Sequence, residues 1–285
     1  MGYMDHVHRL NRHEMLGFQP FFVAETKVGW VRKAFAEQLA EYPEVFHIDT
    51  GTVSLARSLS TFDDRSAALA AVVPKLRAAG LISGRDRDEP YPVAEIPGGE
   101  ALAVVDRGAA TEFGLVQTGF HLNGLVQTSD GPRMWVAKRA ANKTTYPGAL
   151  DNMVAGGQPH GLTIAQNVVK ECAEEAGIPE ALARTARPVG AISYVQEVDE
   201  GLRRHMMYLY DLDLPGDFTP FPADGEVQDF RLMEIEEVAE IVATSEAFKY
   251  NCNLAIIDFL IRHGHIGPDD PDYAALVIGL HAKLP

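Results

Sequence analysis

The sequence predicts an α/β fold in which a smaller α+β unit precedes a larger unit of strands that surround one helical segment. With 285 residues the chain exceeds the usual size of one domain, so we expect two units. Helix patterns dominate the first unit, and a passage rich in Pro, Gly and charge over residues 83–102 follows them. Strand patterns on both sides of a helix then indicate a layered fold. We predict an N-terminal domain over residues 1–112 and a second domain over residues 113–285.

Two helices are predicted in the first unit. Residues 29–43 have apolar side chains at helical spacing and end at a proline, and residues 66–84 have a second such pattern. Pro74 lies inside the second helix and is a position where it would be interrupted. Gly80 is expected to end it.

The second unit is predicted to be mostly strands, with helices in the middle and at the end. Its first strands form a hairpin around the turn "SDGP" at residues 129–132. Further strands are expected over residues 191–198, 203–214 and 227–235, and helices over residues 235–244 and 251–264.

The helix in the middle of this unit is the most strongly marked element. From Thr163 to Ala176 the chain has neither Gly nor Pro, Thr163 is a good N-cap, and Gly177 is a good C-terminal stop. Its carboxylates lie within an arc of about 100°, and its apolar residues lie on a different face. The carboxylates are those of Glu171, Glu174 and Glu175, and the apolar residues are Ala165, Val169, Cys172 and Ala176.

This carboxylate group is unfavourable for an isolated helix. Like charges three and four residues apart repel, and anions near a helix C-terminus oppose the helix dipole. A solvated acidic face is one explanation. A divalent cation is the sharper one, because Mg²⁺ and Mn²⁺ prefer oxygen ligands and would neutralise the group.

The flanking residues decide between these explanations through a resemblance. Two glycines, Gly156 and Gly157, precede the helix, and the motif "KECAEEAGI" over residues 170–178 ends it. This arrangement resembles the signature of the Nudix hydrolase family, with Lys170 at the position of the family's Arg. Leu162 stands where the family has its first Glu, and so it supplies no carboxylate. The resemblance implies a Nudix-type α/β/α sandwich, with a mixed sheet and the signature helix, after the smaller α+β domain.

A closer resemblance covers nearly the whole chain. The segments "DEPYPV" and "KTTYPGALDNMVAGGQPHG" are similar to those of the Nudix proteins related to thiamine pyrophosphokinase, which carry an N-terminal domain of unknown function. This subfamily implies metal-dependent hydrolysis of an organic diphosphate. The implied substrate is thiamine diphosphate or an oxidised analogue, and the product is the monophosphate.

The resemblance also implies the catalytic residues. Glu171, Glu174 and Glu175 would hold Mg²⁺ or Mn²⁺, which neutralises charge that develops on the phosphoryl oxygens. Lys170 would orient Glu171 as a point charge, without the bidentate geometry of Arg. The general base is Glu171 or a carboxylate of a later loop, for which Glu226 in "PFPADGEVQDF" is the candidate.

Five residues are candidates for substrate binding. Because glycine has no side chain, Gly156 and Gly157 would let the diphosphate approach the backbone closely. Lys143, Tyr146 and His160 lie in the neighbouring loops and would reach the substrate. Lys138 or Arg139 would instead meet the phosphate, and ordinary solvent exposure is the alternative for these side chains.

No second metal centre is expected. His6, His8 and His13 have no Cys or carboxylate at ligand spacing, so we interpret this segment as a mobile terminus. Cys172 and Cys252 lie in apolar surroundings, and we expect two small core residues without a disulfide.

The net charge of −15 argues against nucleic acid as a partner, because phosphate backbones are bound by basic surfaces. The sequence shows neither a signal-peptide pattern nor an apolar run of membrane-spanning length. We therefore expect a cytoplasmic protein that acts on a small-molecule diphosphate and does not bind a membrane. Its oligomeric state, monomer or homodimer, stays open.

Three other functions compete. ADP-ribose or an oxidised nucleoside diphosphate of the 8-oxo-dGDP type would use the same chemistry. A module that senses a ligand without catalysis would explain Leu162, although it would have little need for three repelling carboxylates. Isomerisation of an isoprenoid diphosphate is disfavoured, since Cys172 is expected to point into the core.

Overall fold

The computed structural model describes residues 2–285. The helices, in chain order, are α1 (Tyr3–Leu10), α2 (Lys33–Leu39), α3 (Phe62–Ala78), α4 (Ile164–Ala176), α5 (Glu180–Ala183), α6 (Ile235–Thr244), α7 (Tyr250–Arg262) and α8 (Tyr273–Gly279). The strands are β1 (Phe18–Val23), β2 (Thr26–Arg32), β3 (Phe46–Asp49), β4 (Thr52–Leu55), β5 (Pro90–Val93), β6 (Ala103–Asp106), β7 (Val116–Thr128), β8 (Gly131–Arg139), β9 (Leu150–Asn152), β10 (Val154–Gly157), β11 (Arg187–Val198), β12 (Gly201–Asp213) and β13 (Val227–Glu234).

A mixed seven-stranded sheet organises the second half of the chain. Its main path runs β11-β12-β7-β8-β13, and the central pair β12 and β7 is parallel. Strands β9 and β10 pair with β8 and β7, respectively, beyond the part of the hairpin where β7 and β8 pair with each other. The short glycine strand β10 therefore lies beside the N-terminal half of β7, with Gly157 opposite Gly119.

Helices cover both faces of this sheet, which confirms the α/β/α sandwich. Side chains alternate along β7, because successive residues of a strand point to opposite faces. Phe120 and Leu122 pack in the core that includes α4, whereas Leu125 packs in the core that includes α1, α6 and α7. Helix α4 thus packs on one face of the sheet, and α1, α6 and α7 pack on the other face.

The N-terminal half forms a smaller α+β unit with a core of its own. A four-stranded sheet in the order β2-β1-β4-β3 and the hairpin of β5 and β6 enclose this core together with α3. Phe21, Phe46 and Phe113 pack together at its centre. The domain boundary at residue 112 stays a prediction.

The first helix is an exception to the sequence interpretation. Residues 3–10 are helical, and α1 packs with α7 and α8 in the core of the larger sheet. The ring of His6 is buried, and its Nε2 lies 2.8 Å from the carbonyl oxygen of Val242. The interpretation of this segment as a mobile terminus is therefore wrong, because its apolar side chains find partners that are distant in sequence.

Three other expectations need correction. Residues 29–32 belong to strand β2, so helix α2 begins only at Lys33. Pro74 does not interrupt α3, which is one helix over Phe62–Ala78. The passage over residues 83–102 contains strand β5, which is paired with β6. In each case tertiary pairing or packing overrides the local pattern.

Candidate active site

Helix α4 begins and ends where the sequence predicts. The hydroxyl of Thr163 accepts a hydrogen bond from the backbone N–H of Gln166, and Gly177 ends the helix with a positive φ of 63°. The buried face is only partly the one expected, because Cys172 and Ala176 are buried as predicted but Ala165 and Val169 are not. It consists of Asn167, Val168, Cys172 and Ala176, whereas Ala165 is exposed and Val169 is only half-buried.

The three glutamates of α4 differ in their surroundings. Glu171 packs against Gly156, where an ideal Cβ would lie 2.7 Å from its Cγ. Glu175 is half-buried and accepts a hydrogen bond of 3.0 Å from the backbone N–H of Ala155. Glu174 is exposed and lies 2.5 Å from Nζ of Lys170. The helix therefore places two carboxylates against the glycine strand and one at the solvent edge.

Burial and repulsion by neighbouring carboxylates make Glu171 and Glu175 unfavourable as anions. Burial raises the pKa of Glu175 well above its ordinary value. Burial also raises the pKa of Glu171, although the neighbouring Lys170 opposes the shift. Burial lowers the pKa of Lys170, but Glu174 and Glu171 outweigh it and the net shift is upward. Carboxylates whose ionisation is unfavourable would be stabilised by a bound hard divalent cation, which prefers oxygen ligands.

A cavity of about 100 Å³, which we name the first cavity, lies at the glycine strand. Ala155, Gly156 and Gly157 of β10 form one wall. Tyr91 and Arg107 of the N-terminal unit reach it from the other side. Both halves of the chain thus contribute to this cavity, whereas Glu171, Glu174 and Glu175 are not part of its lining.

Arg107 fills the space that a side chain on Gly157 would need. An ideal Cβ on Gly157 would lie 2.2 Å from Cζ of Arg107 and 2.4 Å from both of its terminal nitrogens. The guanidinium is held by Glu89, with Nη1 donating to both carboxylate oxygens at 2.9 and 3.1 Å. Its charge opposes the upward pKa shift of Glu171. The N-terminal unit therefore places a fixed cation close to the predicted metal site.

A second cation reaches the first cavity from the N-cap of helix α7. Burial works to lower the pKa of Lys249, but Asp151 and Cys252 together outweigh it and the net shift is upward, so the ammonium stays charged. Burial likewise works to raise the pKa of Asp151, while Lys249, His121 and Arg139 lower it to about 2. Arg139 donates to Asp151 at 2.8 Å, and its contact with a phosphate stays a prediction.

Among residues 2–285, one group of three side chains brings possible metal-ligand atoms within 4.8 Å of one another: His121, Asp151 and Cys252. Its donor set suits a cation poorly. The thiol of Cys252 already donates to Asp151 at 2.7 Å, and the cations Lys249 and Arg139 flank the same carboxylate. The glutamates of α4 are spread more widely than this group, but their donor atoms are all carboxylate oxygens, and Glu171 and Glu175 contact the glycine strand. They are the better candidates for metal ligands.

The other predicted residues lie around this site. Glu226 and Lys143 form an ion pair, and the charge of Glu226 contributes to the raised pKa of Glu175. Tyr146 has a positive φ of 53° and packs edge-on against Tyr250, 4.9 Å between ring centroids. None of these side chains lines the first cavity or a second cavity nearby, whereas His160 lines the second one.

Family models match both halves of the chain. Residues 123–252 match the NUDIX domain, and residues 2–117 match a domain of unknown function, DUF4743. Nudix hydrolase 20, chloroplastic, of Arabidopsis thaliana is 41% identical over 286 residues, which covers 96% of this chain and 76% of the relative. The chain belongs to the Nudix hydrolase family.

Two further proteins are similar to this Nudix hydrolase. Nudix hydrolase 24, chloroplastic, also of Arabidopsis thaliana, is 42% identical and covers 96% of this chain and 76% of its own. The crystal structure of DR0079 from Deinococcus radiodurans is 21% identical, with a TM-score of 0.43 over 59% of this chain and 97% of that one.

Membership of the family fixes the general chemistry. The chain is a Nudix-type hydrolase that acts on a small molecule, and Nudix hydrolases generally use divalent metal ions. The expectation of a cytoplasmic protein is contradicted, because both plant relatives are chloroplastic. Across residues 2–285 no helix is long and apolar enough to cross a membrane.

The sequence did not identify Arg107 and Lys249. They are far apart in the chain and far from the signature, and no periodicity marks them. A partial signal existed in the segment "DEPYPV", because Glu89 holds Arg107 and Tyr91 lines the first cavity.

Proposed function

We propose that this Nudix hydrolase cleaves thiamine diphosphate or an oxidised analogue to the monophosphate, as a member of the thiamine pyrophosphokinase-related subfamily. The observation that carries the hydrolytic part is the meeting of three elements at the glycine strand β10. Glu171 of α4 packs against Gly156, Glu175 accepts from the backbone of Ala155, and Arg107 occupies the space beside Gly157. Such a site accommodates an anionic phosphate chain together with a divalent cation.

The residues have separate tasks in this proposal. Glu171, Glu174 and Glu175 would hold Mg²⁺ or Mn²⁺, which when bound neutralises the diphosphate and makes water more acidic. Lys170 keeps Glu171 and Glu174 in place through its ion pairs of 3.2 and 2.5 Å. Arg107 orients the diphosphate over Gly157 and stabilises the charge that develops on it.

Glu171 is the better candidate for the general base. It packs against Gly156 in the wall of the first cavity. Neither glutamate lines that cavity itself, and Glu226, the alternative, is paired with Lys143. A base has to reach the attacking water, and its contact with the glycine strand favours Glu171. Glu226 with Lys143 would then close the outer edge of the site.

The thiamine part rests on the resemblance over "DEPYPV" and "KTTYPGALDNMVAGGQPHG" and on the N-terminal domain of unknown function. A panel of thiamine diphosphate, an oxidised analogue, ADP-ribose and 8-oxo-dGDP in Mg²⁺ tests it by kcat/KM. Thiamine diphosphates should be the preferred substrates. Equal or faster hydrolysis of ADP-ribose or 8-oxo-dGDP would refute the substrate assignment.

Substitution of one glutamate tests the proposed metal ligands. Loss of a cation-binding carboxylate removes several kcal/mol of transition-state stabilisation, so Glu174→Gln should lower kcat by about 100-fold or more. Glu180→Gln is the matched control, because Glu180 is exposed on the neighbouring helix α5 and pairs only with Arg184. Equal rates in the two variants would remove Glu174 from the site. Turnover in neither the wild type nor the control would favour a sensing module.

A further inference from the structure

A second cavity, of about 230 Å³, lies next to the first. Most of its wall residues come from two segments that are distant in sequence, and Val116 and Thr118 of β7 complete the lining. Residues 92–101 contribute the end of β5 and the loop that follows it, and residues 158–162 contribute the loop between β10 and α4. Thr118 lines both cavities and so marks where they meet. A molecule with two chemically different halves would fit across this junction.

The walls of the second cavity are mostly apolar and carry neither Lys, Arg, Asp nor Glu. Ile96 and Leu162 line it and are 59% and 37% exposed, which is unusual for large apolar side chains. Leu162 stands at the position where the family has its first Glu. Its side chain therefore contributes apolar surface to this cavity, where the family's residue would bring a charge.

An aromatic ring forms part of the wall. His160 lines the second cavity, and its ring lies against Phe62 with 5.7 Å between centroids. The backbone N–H of His160 donates to the carbonyl of Pro90 at 2.9 Å, which ties the loop to the N-terminal unit. A flat ligand would find a fixed flat surface here.

Gln158 supplies a buried hydrogen-bond acceptor at this cavity. The residue is only 8% exposed, and its Nε2 donates to the carbonyls of Leu162 and Pro159 at 2.5 and 3.3 Å. These two acceptors fix the orientation of the amide, so the other atom is Oε1. Oε1 is buried and has no hydrogen-bond partner in the described chain. A buried acceptor without a donor is costly, and a ligand N–H would relieve that cost.

We infer that the second cavity binds the organic half of the substrate, and that this half is a flat apolar ring with an amino or other N–H donor aimed at Oε1 of Gln158. The diphosphate then extends past Thr118 to Arg107 and the glutamates of α4. This inference rests on the proposed function for the position of the diphosphate. It assigns the N-terminal unit a role in specificity, through residues 92–101.

Binding of thiamine diphosphate in EDTA, measured by calorimetry, tests the location. Ile96→Asp puts a carboxylate into the apolar wall and should weaken binding about tenfold, because it removes apolar contact area with the ring. Ile278→Asp is the matched control, since Ile278 is 74% exposed on α8 and lines neither cavity. Equal affinities of the two variants would overturn the inference.

A pair of ligands tests the role of Gln158. Wild type should bind thiamine diphosphate roughly 3- to 10-fold more tightly than the analogue in which hydrogen replaces the pyrimidine amino group. In Gln158→Met this preference should disappear. Because the readout is a ratio, a general loosening of the loop in the variant affects both ligands alike. A preference that is absent in wild type, or unchanged in the variant, would refute the contact.

Hydrolysis in Mg²⁺, measured on the same preparations, separates this inference from the proposed function. Absence of hydrolysis together with the expected binding differences would refute the function alone. Inorganic diphosphate and ADP, which carries an amino group, complete the binding series. Should neither thiamine diphosphate nor ADP bind more tightly than inorganic diphosphate, the organic half has no site here and the inference is wrong.

Discussion

Alanine at Gly157 should displace Arg107 and leave the fold intact. The new methyl would lie 2.2 Å from Cζ of Arg107, far inside van der Waals contact. Gly157 has the extended backbone of strand β10, which alanine adopts without strain. Because the obstacle is the far end of a flexible side chain, the guanidinium moves and the strand stays. The substitution therefore removes a charge from the first cavity without removing the residue that carries it.

The size of the effect follows from what the guanidinium does. A hydrogen bond from a charged donor contributes about 1.5–3 kcal/mol, which corresponds to a decrease of about 10- to 100-fold in kcat/KM. Stability should change by less than about 1 kcal/mol, because the pair of Arg107 and Glu89 is partly exposed and such pairs contribute little. Steady-state kinetics and urea unfolding measure the two quantities.

A double-mutant cycle decides whether Arg107 transmits the effect. Arg107→Ala should lose as much activity as Gly157→Ala, and the double variant should lose no more than either single variant. Gly267→Ala is the control, because an ideal Cβ there has no atom within 4 Å. Losses that multiply in the double variant would refute the reasoning, since the methyl would then obstruct the diphosphate itself.

Three further predictions concern pH, thiols and Leu162. Burial lowers the pKa of His121 from 6.5 to about 4, so the unfolded chain binds more protons between these pH values and stability falls as the pH falls. Between pH 7 and 5 this costs about 2 kcal/mol, and urea unfolding of His121→Gln should show a correspondingly smaller loss than wild type. Burial raises the pKa of Cys172 to about 12 and that of Cys252 well above its usual range, so Ellman's reagent should titrate neither thiol until the chain is unfolded. Leu162→Glu should leave kcat nearly unchanged and raise KM for thiamine diphosphate. A higher kcat in this variant would contradict the prediction, because it would show that a carboxylate at position 162 takes part in catalysis.

Sequence patterns predicted the secondary structure best where an element depends mainly on residues close to it in the chain. Thr163, Gly177 and the uninterrupted stretch between them determine α4, because a capped helix depends mainly on its own residues. The turn at residues 129–132 likewise predicted the hairpin of β7 and β8. Predictions failed at Gly29–Arg32 and at the N-terminal helix, where the partner that stabilises the segment is far away in sequence.

The sequence by itself determined the carboxylate helix, the glycine pair before it and hence the class of chemistry. Only the tertiary structure decided what surrounds them. Arg107 reaches the first cavity from the N-terminal unit and Lys249 from the start of α7, and residues 92–101 form the second cavity with Gln158. The physical reason is that a ligand site is set by distances in space. A motif on one helix encodes its own geometry, whereas cations and cavity walls from other elements follow from how the two units pack together.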